Sequence, residues 1–167
     1  MPPAAPRPAS ALPQLALALI GLGALAGLIA PRVEARLGHA RDLERVRTME
    51  RVRTAIELYR SAHGDYPHSR SEWSTSLETD FLAPLVERGF LESAPRDPRN
   101  EGGFHYRYAR YEAGTHGCVG SGPFFVLAIS TFEDAQFATR HVGWFKCIER
   151  SWNSEFAYVT GGGAALE

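Results

Sequence analysis

Hydrophobic positions fall into three regimes along this chain: one uninterrupted run near the start, then a stripe of helical period, then short alternating segments. Residues 15–30 (LALALIGLGALAGLIA) carry no charge. With Leu12, Pro13 and Gln14 in front, the stretch approaches the roughly 20 residues that a bilayer-spanning helix needs. It is apolar on every face, unlike a helix packed in a soluble domain. A cleaved secretory signal would have a basic start, a shorter apolar core and a small-residue cleavage site after it. Here the core is long and Pro31-Arg32 follows it. The run therefore predicts a transmembrane helix over residues 10–31, preceded by a Pro- and Ala-rich, leader-like segment, 1–9. Gly23 and Gly27 form a small-xxx-small pair, which in lipid lets two helices approach closely. An Ala/Gly-rich anchor without a partner gives the same pattern.

The helix is expected to continue past Pro31, which would kink it. Between residues 33 and 62 there is no proline, and Gly38 is the one glycine. Leu37, Ala40, Leu43, Val46 and Met49 recur every three residues. Val52, Ala55, Ile56 and Tyr59 then give the i, i+3, i+4, i+7 stripe of an amphipathic helix. Glu50/Arg53 and Glu57/Arg60 add i,i+3 charge pairs. Gly64 suits the position after the last turn, and Asp65-Tyr66-Pro67 blocks continuation. Residues 32–63 are thus an amphipathic continuation. A coiled-coil stalk is the alternative, but the apolar face widens and gains an aromatic, as on a helix packed against a globular domain.

Residues 64–160 predict an α+β head. Pro84 suits the first turn of a short helix closed by Gly89. Residues 94–103 are a run of turns. Phe104, Tyr106 and Tyr108 alternate with His105, Arg107 and Ala109, a period of two. Residues 123–131 (PFFVLAIST) form a more continuous apolar strand, and 141–148 or 155–160 a third. Without strand–helix–strand alternation, the sheet is expected to be antiparallel and packed on the helix. Residues 161–167 predict a disordered tail.

These features together resemble the type IV pilin family and its secretion-system relatives, the pseudopilins. Gly23 and Pro31 stand eight residues apart, as do the glycine and proline of that family's helix. Both fall in the family's register if the mature protein begins at Ser10. Ala55-Ile56-Glu57-Leu58-Tyr59 with Gly64-Asp65-Tyr66-Pro67 is similar to the "AL..Y....G.YP" signature. Gly89-Phe90-Leu91 with Pro95-Arg96-Asp97-Pro98 resembles the "GYL…P.DP" segment, and residues 104–108 the aromatic strand after it. The resemblance implies leader cleavage between Ala9 and Ser10, an inner-membrane helix with Gln14, Gly23, Gly27 and Pro31 in assembly roles, and a head outside the cytoplasm. It implies other pilin-like subunits, an assembly platform and a prepilin peptidase as partners. The chain departs from the pattern where Ala9 replaces the leader glycine, Ser10 the first phenylalanine and Gln14 the fifth-position glutamate. That glutamate neutralises a neighbour's amine, and a glutamine cannot. A minor subunit, at a tip or in an initiation complex, has no such neighbour ahead of it.

Charge changes the picture little. Lys+Arg total 18 against 19 acids, net -1, so no nucleic-acid partner is expected. Counting basic residues alone, Arg7 before the anchor against Arg32, Arg36, Arg41, Arg45 and Arg47 after it favours a cytoplasmic C-terminus. The cysteines and the resemblance point the other way. In an oxidising compartment Cys118 and Cys147 form one disulfide. Alternatives are two free thiols, or a metal site with His116 and His141, although the spacings of structural zinc are absent. Gly120-Ser121-Gly122 is not a nucleophile elbow, and the glycines around it precede no helix that would cradle phosphate. No calcium loop, catalytic residue or cofactor is expected. Trp73, Trp144 and Trp152 suit core or rim, or one of them a partner surface. The function expected is that of a pilus or pseudopilus structural subunit, and a minor one. A non-polymerising anchored binding module is the alternative, and an anchored enzyme or metal protein a third.

Overall fold

The computed structural model describes residues 11–69 and 71–163, with the backbone alone for 11–26 and 28. The leader-like segment, Ala9 and Ser10 lie outside the described residues, as do the side chain of Gln14 and the surroundings of Gly23. Helix α1 runs from Ala11 to His63, 53 residues, and continues through Pro31. Among the described residues no helix is long and apolar enough to cross a membrane. The chain divides into two units, residues 1–37 and 38–167.

In the first unit Ile29, Val33 and Leu37, each four residues from the next, are 49%, 48% and 47% exposed. In the second unit the buried face of α1 carries Gly38, Asp42, Arg45, Met49, Val52 and Ile56. These positions alternate steps of four and three, the seam of a helix that keeps one face toward its partner. The period-three stripe expected from Leu37 to Met49 is therefore not the buried face. Leu37 and Ala40 face solvent, and Leu43 and Val46 are half-buried at the edge. The helix enters the head through a glycine and two charged residues rather than through hydrocarbon. A Cβ on Gly38 would lie 3.3 Å from Cβ of Glu133, a tight contact that glycine avoids. The helix ends as expected: Gly64 donates its N–H to the Arg60 carbonyl at 2.7 Å and has φ 81°.

Four antiparallel strands form one sheet in the order β1-β2-β3-β4: Ser74–Thr75, Tyr106–Tyr111, Phe124–Ile129 and Tyr158–Gly162. Two short helices, α2 (Ala83–Glu87) and α3 (Ala135–Arg140), lie in the connections. The continuous apolar run of β3 has a physical cause: both faces of the sheet are covered. Phe125, Leu127 and Ile129 pack with Tyr106, Tyr108 and the α1 residues Met49, Val52 and Ile56. Phe124, Val126 and Ala128 point the opposite way, into a second core with Ala109, Tyr111, Phe145, Trp152 and Val159. The head is thus α1, sheet, and a third layer of mostly irregular C-terminal chain.

Two expectations change here. Residues 155–160, not 141–148, supply the last strand; 141–148 instead touches its outer edge through one parallel bridge, Gly143 to Val159. The tail expected to be disordered from residue 161 is ordered to 163, because Gly161 and Gly162 pair with Val126 and Phe125. A Cβ on Gly161 would collide with the Phe125 carbonyl and the Phe145 ring, so glycine lets the third layer close down on β4.

Candidate functional site

The head holds two constructions that do more than fill space. The first is a buried charge network where α1 enters the head. Arg45 is fully buried and donates four hydrogen bonds: Nε and Nη2 to the two oxygens of Asp97 (2.7 and 2.9 Å), and Nη1 to Asp42 (2.6 Å) and Glu133 (2.8 Å). Its guanidinium lies 5.1 Å from the Phe104 ring centroid. Asp42, also fully buried, accepts the backbone N–H groups of Glu133 (3.0 Å) and Asp134 (2.8 Å). Asp97 accepts the N–H groups of Arg99 and Asn100 at 2.9 and 3.3 Å, the turn chemistry of a buried aspartate. Asp134 then caps α3, accepting from Gln136 and Phe137.

Two segments far apart in sequence are thereby tied to two adjacent turns of one helix. Burial works against the charge on Arg45, but the carboxylates of Asp97, Glu133 and Asp42 hold its pKa above the ordinary value. Hydrogen bonds from Arg41, then from Arg45, pull Glu133 down to about 2 against the opposing effect of burial. Arg45 and Glu133 are therefore both charged near neutrality. The network is a positioning device for the residues 94–103 loop and for α3.

The second construction is the third layer. The disulfide Cys118–Cys147 joins the chain before β3 to the segment after α3, with Cα atoms 4.6 Å apart. The disulfide expectation therefore holds, and both thiols are consumed. His116 and His141 do not converge on it as ligands. His116 Nε2 accepts from Arg150 at 3.2 Å, and His141 Nδ1 bonds the Phe137 carbonyl at 3.1 Å. Among the described residues no group of three His, Cys, Asp or Glu side chains is placed to hold a metal.

The disulfide, one bridge to β4 and Asn153 hold residues 142–148 against the head. Asn153 donates to the Gly143 carbonyl (3.1 Å) and accepts from the Phe145 N–H (3.2 Å). Phe145 and Cys147 turn inward, so Val142, Trp144, Lys146 and Ile148 turn outward. Trp144 is 56% and Ile148 79% exposed, and Val119 lies beside them across the disulfide. Lys146 places its ammonium 5.1 Å from the Trp144 ring centroid. Period-two alternation here exposes the apolar set, the reverse of an ordinary edge segment.

Of the residues singled out from sequence, Gly27 and Pro31 lie on α1 and are exposed, with open space where a Cβ on Gly27 would stand. Trp152 is in the second core, Trp73 is half-buried and Trp144 is on the surface. The charge network escaped the sequence reading. Its one local signal was Asp42 and Arg45 standing at positions of the buried face. No family model, curated protein or solved structure matches this chain.

Proposed function

We propose that the chain is a pilin-like structural subunit of a pilus or secretion-system pseudopilus, a minor one, acting by assembly and protein contact rather than by catalysis. The observation that carries this reading is a single 53-residue helix whose C-terminal part is built into the core of an antiparallel α+β head. Three further features support it. The row Ile29, Val33 and Leu37 is apolar and half exposed in the single chain, as a helix covered by lipid or by a neighbouring helix would be. Asp97 of the Pro95-Arg96-Asp97-Pro98 segment clamps its loop to the helix through Arg45, which gives that motif a physical role. The disulfide suits an oxidising compartment.

In this reading the apolar residues 10–31 hold the subunit in the inner membrane, with the head outside the cytoplasm. A prepilin peptidase removes residues 1–9, an assembly platform extracts the subunit, and packing around Gly23, Gly27 and Pro31 holds it among other pilin-like subunits. Gln14 in place of a carboxylate restricts it to positions with no amine to neutralise.

The substitutions at Ala9 and Gln14 favour a second reading, an anchored ligand- or protein-binding module that never polymerises. Mass spectrometry of the mature N-terminus, in cells with and without a prepilin peptidase, separates the two. A peptidase-dependent start at Ser10 is expected. An intact leader in both cells overturns the filament reading in favour of the anchored module.

A further inference from the structure

The outward row of residues 142–148 has a counterpart at the other end of the sheet. The row lies outside β4, joined to it by the N–H of Val159 donating to the Val142 carbonyl at 3.2 Å. At the opposite edge, β1 pairs with β2 alone within the sheet order. There Ser74 of β1 lines a cleft of about 360 Å³ with Glu78, Asp80 and Glu87 on its walls and Leu82 and Pro84 among its apolar residues. Leu77, 45% exposed, stands next to Glu78 in sequence. Three strand spacings, about 14 Å, separate β1 from β4, and the row lies beyond β4. One edge thus presents three apolar side chains around the chain's single lysine. The other presents the exposed carboxylates of Glu78 and Glu87 beside half-buried Pro84 and exposed Leu77.

We propose that the row Val142, Trp144, Lys146 and Ile148 docks on the β1-edge cleft of a second copy, so that heads associate edge to edge and head to tail. This contact rests on the filament reading and names a surface that it uses. Two different patches meet, so the contact is heterologous and leaves a free row and a free cleft at the two ends. A pair of copies is enough to form it, which a minor subunit allows. The apolar side chains of the row offer on the order of 400 Å², about half of what one partner contributes to a stable interface. Docking between free heads is therefore weak. Anchoring in one membrane supplies the effective concentration that makes it persist.

Because Lys146 is the only lysine, carbodiimide coupling in membranes of cells expressing the full-length chain reads the contact directly. The expected product is an intermolecular amide from Lys146 to Glu78 or Glu87. The W144S/I148S double variant, with the Cys118–Cys147 bridge intact, should lower its yield at least about tenfold. K146E should abolish it, and K146E combined with E78K and E87K should restore it with the linkage reversed. Coupling of Lys146 to another protein, to other carboxylates of this chain, or to none overturns the proposal. The mature N-terminus is read on the same membranes. Cleaved protein without the amide defeats the edge contact alone, and an uncleaved leader without the amide defeats the filament reading as well.

Discussion

Replacing Arg45 by alanine removes the one cation that meets Asp42, Asp97 and Glu133 together. Asp42 and Arg45 are fully buried, Asp97 is 3% exposed, and the four hydrogen bonds lost measure 2.6–2.9 Å. Breaking a buried ion pair from one side costs about 3–5 kcal/mol, because the remaining charge is left without water or partner. Glu133 keeps Arg41, and Asp42 and Asp97 keep their backbone donors, so about 4 kcal/mol is expected rather than more. For a head of this size that lowers the unfolding midpoint by on the order of 15 °C. Thermal and urea unfolding of the full chain, followed by tryptophan fluorescence to which the buried Trp152 contributes, measures it.

The sign of the pH dependence gives a second readout. Glu133 has a folded pKa of about 2, below its ordinary 4.5, because Arg41 and then Arg45 bond its ionised form. Its contribution is present above about pH 4.5 and is lost as pH falls toward 2. In the Arg45→Ala variant Glu133 loses one of its two arginine donors, so less of its contribution remains to be lost in acid and the gap between variant and wild type should narrow between pH 7 and pH 3. A loss below about 1 kcal/mol at pH 7, or a gap that does not change with pH, would mean that Arg45 does not hold these carboxylates together.

Other perturbations have equally definite outcomes. Glu133→Gln should cost about 2 kcal/mol at pH 7 and well under about 1 kcal/mol near pH 2, read from the same unfolding curves; the full shift would give about 3, trimmed because the side chain is 10% exposed. Replacing both Cys118 and Cys147 by alanine opens a loop with a sequence separation of 29 and should cost about 3–4 kcal/mol in the chain-entropy model, measured against the oxidised parent. Gly161→Ala, whose Cβ meets the Phe145 ring and the Phe125 carbonyl, should cost about 1–3 kcal/mol and loosen the third layer, seen as loss of the near-ultraviolet signal of Trp152. Trp144→Ser, on an exposed side chain, should leave the midpoint within about 0.5 kcal/mol of wild type.

What was legible in the sequence was what depends on local chemistry. Gly64 and Pro67 ended the helix, Pro84 and Gly89 bracketed α2, and the alternation at Tyr106 and Tyr108 marked β2. The illegible parts depend on what lies opposite. Residues 141–148 alternate as a strand does, yet they turn Trp144 and Ile148 outward, since one bridge to β4 and the Asn153 side chain, rather than a full strand ladder, satisfy their backbone. Hydropathy sends the helix face through Leu37, Ala40 and Leu43, whereas the fold turns Gly38, Asp42 and Arg45 inward. A helix that entered the head on hydrocarbon could slide or rotate by a residue at small cost, because apolar contact is non-directional. Bidentate pairing of Arg45 with Asp97, and two backbone N–H groups on Asp42, admit one rotation and one height. For a head that in the filament reading must transmit force to its helix, a fixed register is worth more than added affinity. The charges at the entry supply that register where an apolar seam would not.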